Sequence, residues 1–166
     1  MMKAVILAAG KGVRLSPFTL DCPKPLVRVH NRPLIAYTLE AFAQAGFTEL
    51  TLIVGYKAKT IVAALGDLHH YGLKLSYVFN AHYQRRNATS LLTARQVVGD
   101  EPFIVTMADH MISPAILRAL LDSRVGDTLC VDRTAPVFSS GAANTTRATR
   151  ARMAAPAHMT HGSTVT

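Results

Sequence analysis

Five apolar, β-rich runs recur along the first 131 residues, separated mostly by stretches of helical periodicity, and this alternation restricts the fold more than any other feature. The runs are 3–8 (KAVILA), 50–54 (LTLIV), 73–79 (LKLSYVF), 103–107 (FIVTM) and 128–131 (TLCV). Between them, 33–45 (PLIAYTLEAFAQA) opens with Pro and closes before Gly46 like an amphipathic helix, and helical patterns follow at 57–65, 89–98 and 114–121. Strands that alternate with helices build βαβ units, so the expected fold is α/β: a mostly parallel sheet covered on both faces, a three-layer αβα sandwich. Ligands in such sheets bind outside the carboxyl ends of the strands. Function is therefore sought in the residues that follow each run.

A chain of 166 residues is the size of one domain, and 49% hydrophobic against 17% charged residues supplies a core and excludes wholesale disorder. No apolar run approaches the ~20 residues of a membrane span, and MMKAVILAAGKG lacks the h-region and cleavage site of a signal peptide. Cys22 and Cys130 lack metal-type spacing and are too few for a disulfide scaffold. The expectation is a cytoplasmic protein with no membrane span. The net charge of +8 suggests nucleic acid until it is divided. Residues 1–132 hold 14 Lys and Arg against 10 Asp and Glu, whereas 133–166 hold four arginines (Arg133, Arg147, Arg150, Arg152) and no acid. Ala, Thr, Ser, Arg and Gly dominate that second stretch without apolar periodicity. Residues 1–132 are thus read as the folded domain and 133–166 as an irregular, low-complexity tail. His158 and His161 have metal-pair spacing there but no third ligand nearby, which favours a plain tail over a metal site.

The loop after the first run, Leu7-Ala8-Ala9-Gly10-Lys11-Gly12-Val13-Arg14-Leu15, holds two glycines and two cations. Glycines let backbone N–H groups face a phosphate chain with no Cβ in the way, and cations add attraction. A dinucleotide fingerprint would need glycine at Leu15 and a helix that Pro17, Pro23 and Pro25 forbid; a Walker A loop would need Gly-Lys-Ser/Thr. Neither pattern is present. The two glycines alone are equally compatible with a tight turn. The next segment tips the balance, because Pro23-Lys24-Pro25 clamps one lysine between two residues of fixed φ and so places an ammonium at a defined point.

Residues 4–29, AVILAAGKGVRLSPFTLDCPKPLVRV, resemble the signature of the sugar-phosphate nucleotidylyltransferases, LAAGxGxRLxPxTxxxPKPLxxV. With Arg32-Pro33-Leu34-Ile35 and Val54-Gly55-Tyr56 the resemblance covers about the first 110 residues. It implies a Rossmann-like architecture. It also implies that Ala8, Ala9, Gly10, Lys11 and Gly12 cradle a nucleoside triphosphate, that Arg14 meets the β and γ phosphates, and that Lys24 holds the α-phosphate or the incoming phosphate.

Asn80 follows the third run and Asn87-Ala88-Thr89-Ser90-Leu91 opens the next helix. An Asn amide suits the Watson–Crick edge of a base, and Asn87 or Thr89 suits a helix cap equally well. The segment is similar to that of cytidylyltransferases acting on alcohol phosphates, which implies that Asn87 and Ser90 bind nucleotide and that CTP is favoured. Asp109, directly after 103–107, is placed to hold Mg²⁺ against phosphate oxygens; the alternative, a cap for the helix at Pro114, is weakened by the four-residue gap. The family usually has Gly-Asp where this chain has Ala108-Asp109-His110, and His110 is open between substrate contact and packing.

The implied reaction is in-line attack by a sugar or polyol phosphate on the α-phosphorus of the triphosphate, with Arg14, Lys24 and Asp109 as catalytic residues and Mg²⁺ as cofactor. No nucleophilic side chain is required. Family members usually add a second metal carboxylate from a later strand. No Asp or Glu follows Asp132, which itself follows the last run and is expected elsewhere. The abrupt change at Arg133 motivates the expectation of a C-terminally truncated or frame-shifted, weakly active enzyme. The rivals are a nucleotide-binding module without catalysis and, from the basic tail, a nucleic-acid binder, which lacks interleaved aromatics and a recognition motif. Translating the coding DNA in its other frames downstream of codon 133 should reveal a family-like continuation; its absence removes the frame-shift idea.

Overall fold

The computed structural model describes residues 2–66, 71–85, 87–123, 126–130 and 148–151. In chain order they form β1 (Lys3–Ala8), β2 (Arg28–Val29), β3 (Arg32–Pro33), α1 (Leu34–Gln44), β4 (Glu49–Val54), α2 (Ala58–Gly66), β5 (Lys74–Phe79), α3 (Asn87–Val98), β6 (Phe103–Met107), α4 (Pro114–Asp122), β7 (Thr128–Leu129) and β8 (Ala148–Ala151). Every element read from periodicity is present, with ends displaced by a residue or two.

The sheet runs β5-β4-β1-β6-β8-β7. Strands β5, β4, β1 and β6 are mutually parallel, and Val5 is the partner of Thr51 on one side and of Val105 on the other. Alternate residues of β1 enter different layers. Ala4, Ile6 and Ala8 join Leu50, Leu52, Val54 and Ile104 beneath α1, α2 and α4, through Ile35, Leu39, Phe42, Ile61, Leu65, Leu117 and Leu120. Val5, Ile53 and Phe103 face the other way, against Ala94 and Val98 of α3. This is the expected three-layer αβα arrangement.

Within the tail, read as mostly irregular, the described residues form one short strand. Ala148–Ala151 pairs antiparallel with both β6 and β7, taking the otherwise open edge of β6. Its sequence, ATRA, has no apolar alternation, so the pairing answers the backbone's need for partners rather than a side-chain pattern. Asp132, Arg133, Arg147, Arg152, His158 and His161 lie outside the described residues.

After β1 the chain connects to β4 and β5 on one side, then crosses back through α3 to place β6 on β1's other side. The reversal opens a crevice at the carboxyl ends of β1 and β6, where sheets of this class hold ligands. The ladder continues past the strand ends: Tyr56 N–H donates to Ala9 O at 3.0 Å, Asn80 N–H to Val54 O at 2.8 Å and Ala108 N–H to Leu7 O at 3.0 Å. The loops therefore start from a rigid floor. Ile6, fully buried in the larger core cluster, tests that floor. Ile6→Ala should destabilise the chain by about 2–5 kcal/mol, read as a lower urea midpoint.

Candidate functional site

A cavity of about 480 Å³ occupies the crevice. Leu7, Ala8, Ala9, Gly10, Gly12, Val13 and Arg14 line it from the end of β1, Met107, Ala108 and Asp109 from the end of β6, Lys24, Pro25 and Gln84 from the segments around, and Ser90 from the first turn of α3. The volume lies within the range of small-molecule sites.

Gly12 takes φ 68°, the left-handed region that favours glycine, and caps a short 3-10 turn, Val13–Leu15, which carries Arg14. Space matters there as much as conformation. A Cβ on Gly12 would stand 2.8 Å from Cβ of Lys24 and 3.2 Å from Cγ2 of Thr19, so the glycine loop and the proline-clamped lysine interlock. Lys24 opens a second 3-10 turn, Lys24–Leu26, in which Leu26 N–H donates to Pro23 O at 2.8 Å. The prolines thus do what their sequence implied and hold Lys24 in a stiff turn.

The Lys24 ammonium donates to the Asp109 carboxylate, joining residues 85 apart in the chain. Asp109 caps no helix: Ser113 occupies the N-cap of α4, accepting from Ala115 N–H at 3.1 Å. That removes the capping alternative. Asp109 is also the only acid among the described residues lining the cavity. No group of three or more His, Cys, Asp or Glu gathers anywhere among the described residues. One carboxylate in a cationic cavity does not make a resident metal cage. It does fit Mg²⁺, which commonly takes one or two carboxylates and completes its shell with phosphate oxygens and water.

Of the nucleotide-binding candidates, Ala8, Ala9, Gly10, Gly12 and Ser90 line the cavity. Lys11 does not; its exposed side chain puts Nζ 5.9 Å from the centre of the Tyr56 ring, within cation–π range. Asn87 is the first residue of α3, and its side chain lies outside the described residues. Asn80 does not present its amide to a base. It is buried, Nδ2 donates to Thr89 Oγ1 at 3.2 Å and Ser90 Oγ at 3.0 Å, and Oδ1 accepts from His82 N–H at 2.9 Å. Those bonds pin the start of α3 to the end of β5. His110 is not among the lining residues; Nδ1 lies 3.5 Å from Thr106 Oγ1, and its carbonyl accepts from Thr38 Oγ1 at 2.8 Å. Burial pushes the Cys130 thiol up, consistent with setting cysteine chemistry aside.

The sequence reading missed Gln84, an exposed side chain on the β5–α3 loop that reaches the cavity. The available signal was its place after a strand end, where every other site residue was sought.

A model of the nucleotidyl transferase family matches residues 3–128. Glucose-1-phosphate thymidylyltransferase of Streptomyces griseus is 40% identical over 111 residues, which is 67% of this chain and 31% of that protein. The inositol-1-phosphate CTP transferase structure from T. maritima superposes with a TM-score of 0.65 at 28% identity, over 78% of this chain and 52% of that one. CTP:phosphocholine cytidylyltransferase from Streptococcus pneumoniae gives a TM-score of 0.54 at 38% identity, over 65% and 45%. The chain spans about a third of the length of the first curated relatives it matches.

Gly10 provides a control for the interlock, since a Cβ there meets nothing within 4 Å. Gly12→Ala should lower stability by roughly 1 kcal/mol or more and weaken triphosphate binding, because the clash falls on Lys24. Gly10→Ala should leave urea stability within about 0.5 kcal/mol. Urea unfolding and nucleotide titration of both variants check this.

Proposed function

We propose that this chain, which belongs to the nucleotidyl transferase family, transfers a nucleoside monophosphate from a nucleoside triphosphate to the phosphate of a sugar or polyol, with release of pyrophosphate. The observation that carries the reading is the meeting of Arg14, Lys24 and Asp109 around one cavity beside a glycine loop at the β1–β6 crevice. The two CTP-using structural neighbours and the Asn87–Ser90 segment favour CTP as donor.

The reaction asks for charge neutralisation and alignment. An oxygen of the acceptor phosphate bonds to the α-phosphorus, the bond from that phosphorus to the bridging α–β oxygen breaks, and pyrophosphate leaves with the electron pair. Backbone at Ala8–Gly12 receives the phosphate chain, Arg14 attracts its outer phosphates, and Lys24, stiffened by Pro23 and Pro25, meets the charge developing at the α-phosphate. Asp109 is the residue that would hold Mg²⁺. When bound, that ion supplies further neutralisation of phosphate charge. Before loading, Lys24 and Asp109 satisfy one another, so neither charge is left unpaired in the partly buried cavity.

One observation favours a second reading. With Asp109 the single acid lining the cavity among the described residues, the chain is also suited to binding nucleotide with little turnover. A pyrophosphate-release assay separates the two.

A thermal-shift series of CTP, UTP, dTTP, GTP and ATP with Mg²⁺ tests the donor. A triphosphate at about 100 times its Kd should raise the Tm by roughly 5–10 °C, with CTP largest. No shift with any of them overturns the reading. Lys24→Met should cut turnover by about 10²–10³-fold while the fold stays intact, and Asp109→Asn should abolish the Mg²⁺ dependence of the shift.

A further inference from the structure

Residues 13–22 carry Arg14 and lead to Lys24, two cations of the cavity, and their large apolar side chains do little to anchor them. Val13 is 72% exposed, Phe18 72% and Leu20 63%, so apolar burial does not hold the segment in place. Polar contacts do. Thr19 Oγ1 donates to Gly12 O at 3.0 Å, which closes the segment on itself. Among the described residues, the hydrogen bonds that reach it from outside residues 12–23 come from Lys57, whose ammonium donates to Leu20 O at 3.0 Å and Asp21 O at 2.7 Å.

Lys57 has a firm base. It follows Gly55 and Tyr56 at the end of β4, and Tyr56 N–H is bonded to Ala9 O in the glycine loop. A Cβ on Gly55 would stand 2.9 Å from Ala9 O and 2.5 Å from Tyr83 Cβ, so the two backbones are in closest approach there. The Lys57 ammonium also lies 5.6 Å from the centre of the Tyr56 ring. Lys57 itself has φ 48°, in the left-handed region where a residue with a Cβ is rare and glycine is at ease. A strained lysine where glycine would be unstrained points to a task for its side chain.

We infer that Lys57 is a positioning residue for nucleotidyl transfer: it ties residues 20–21, and through them Lys24 and Arg14, to the end of β1 on which the phosphate loop is built. The inference rests on the nucleotidyl-transfer reading. It adds a residue that does not line the cavity and acts through two backbone carbonyls.

Three variants test it: Lys57→Met, Lys57→Arg and Lys57→Gly. Lys57→Met should speed amide exchange across residues 13–22 in the nucleotide-free chain and weaken triphosphate affinity by ~10-fold, with the Tm close to wild type. Lys57→Arg keeps a donor and should restore affinity to within about 3-fold of wild type. Lys57→Gly relieves the backbone, so its Tm should equal or exceed that of wild type while its affinity falls as in Lys57→Met. That divergence of stability and binding is what a merely structural lysine would not give. Unchanged exchange across 13–22 in Lys57→Met overturns the brace, as does a joint fall of Tm and affinity that Lys57→Arg fails to correct. A wild-type chain whose Tm responds to no triphosphate overturns the nucleotidyl-transfer reading instead, a failure visible before any variant is made.

Discussion

Hydrogen bonding of β1 on both sides, to β4 and to β6 in parallel, is the constraint on which the rest of the structure depends. Parallel pairing brings the carboxyl ends of three strands to one edge, and each connecting segment must start there. Because β4 and β6 lie on opposite sides of β1, their connections diverge and leave the crevice between the ends of β1 and β6. The burial of Val5, Ile6, Ile53 and Phe103 in two opposed layers keeps that edge rigid. A cavity built on it inherits the sheet's precision, which the proposed transfer, governed by alignment and charge, requires.

Around the edge, the chemistry comes from close approach more than from any single group. Gly12 and Lys24 fit because one lacks a Cβ and the other is locked between prolines. Gly55 lets the β4 loop press on the carbonyl of Ala9, and Lys57 reaches on from there to the segment that carries the cations. Three loops distant in sequence thus share a few backbone contacts. Tyr56, bonded to Ala9 and lying beside both Lys11 and Lys57, sits where they meet.

Much of this was legible in the chain. Apolar runs long enough to show a period gave the main strands and helices, and the glycine loop, the Pro-Lys-Pro clamp and the acid after β6 all reached the same cavity. Of the short elements only β7 was legible, from the run 128–131. Strands β2 and β3 have two residues each, too few for any period, and β8 has a sequence without alternation and exists through pairing with β6 and β7. Polar residues with two plausible uses were also undecided. Asn87 and Thr89 suited a base contact and a helix cap equally, and His110 stood open between substrate contact and packing, since in each case the residue type suits both tasks. Ser113 took the cap of α4, and Asn80 spent its amide on Thr89 and Ser90.

By itself, then, the sequence determined the layer architecture, the parallel sheet and the set of cations and carboxylate available, because periodicity and glycine or proline placement act over a few neighbouring residues. Only the tertiary structure decided which of them meet. Lys24 pairs with Asp109 across 85 positions, Gln84 enters the cavity, Lys11 turns to Tyr56, and Lys57 holds a segment 36 residues before it. Such contacts depend on strand order, and strand order is set by the pairing of whole elements rather than by any local pattern.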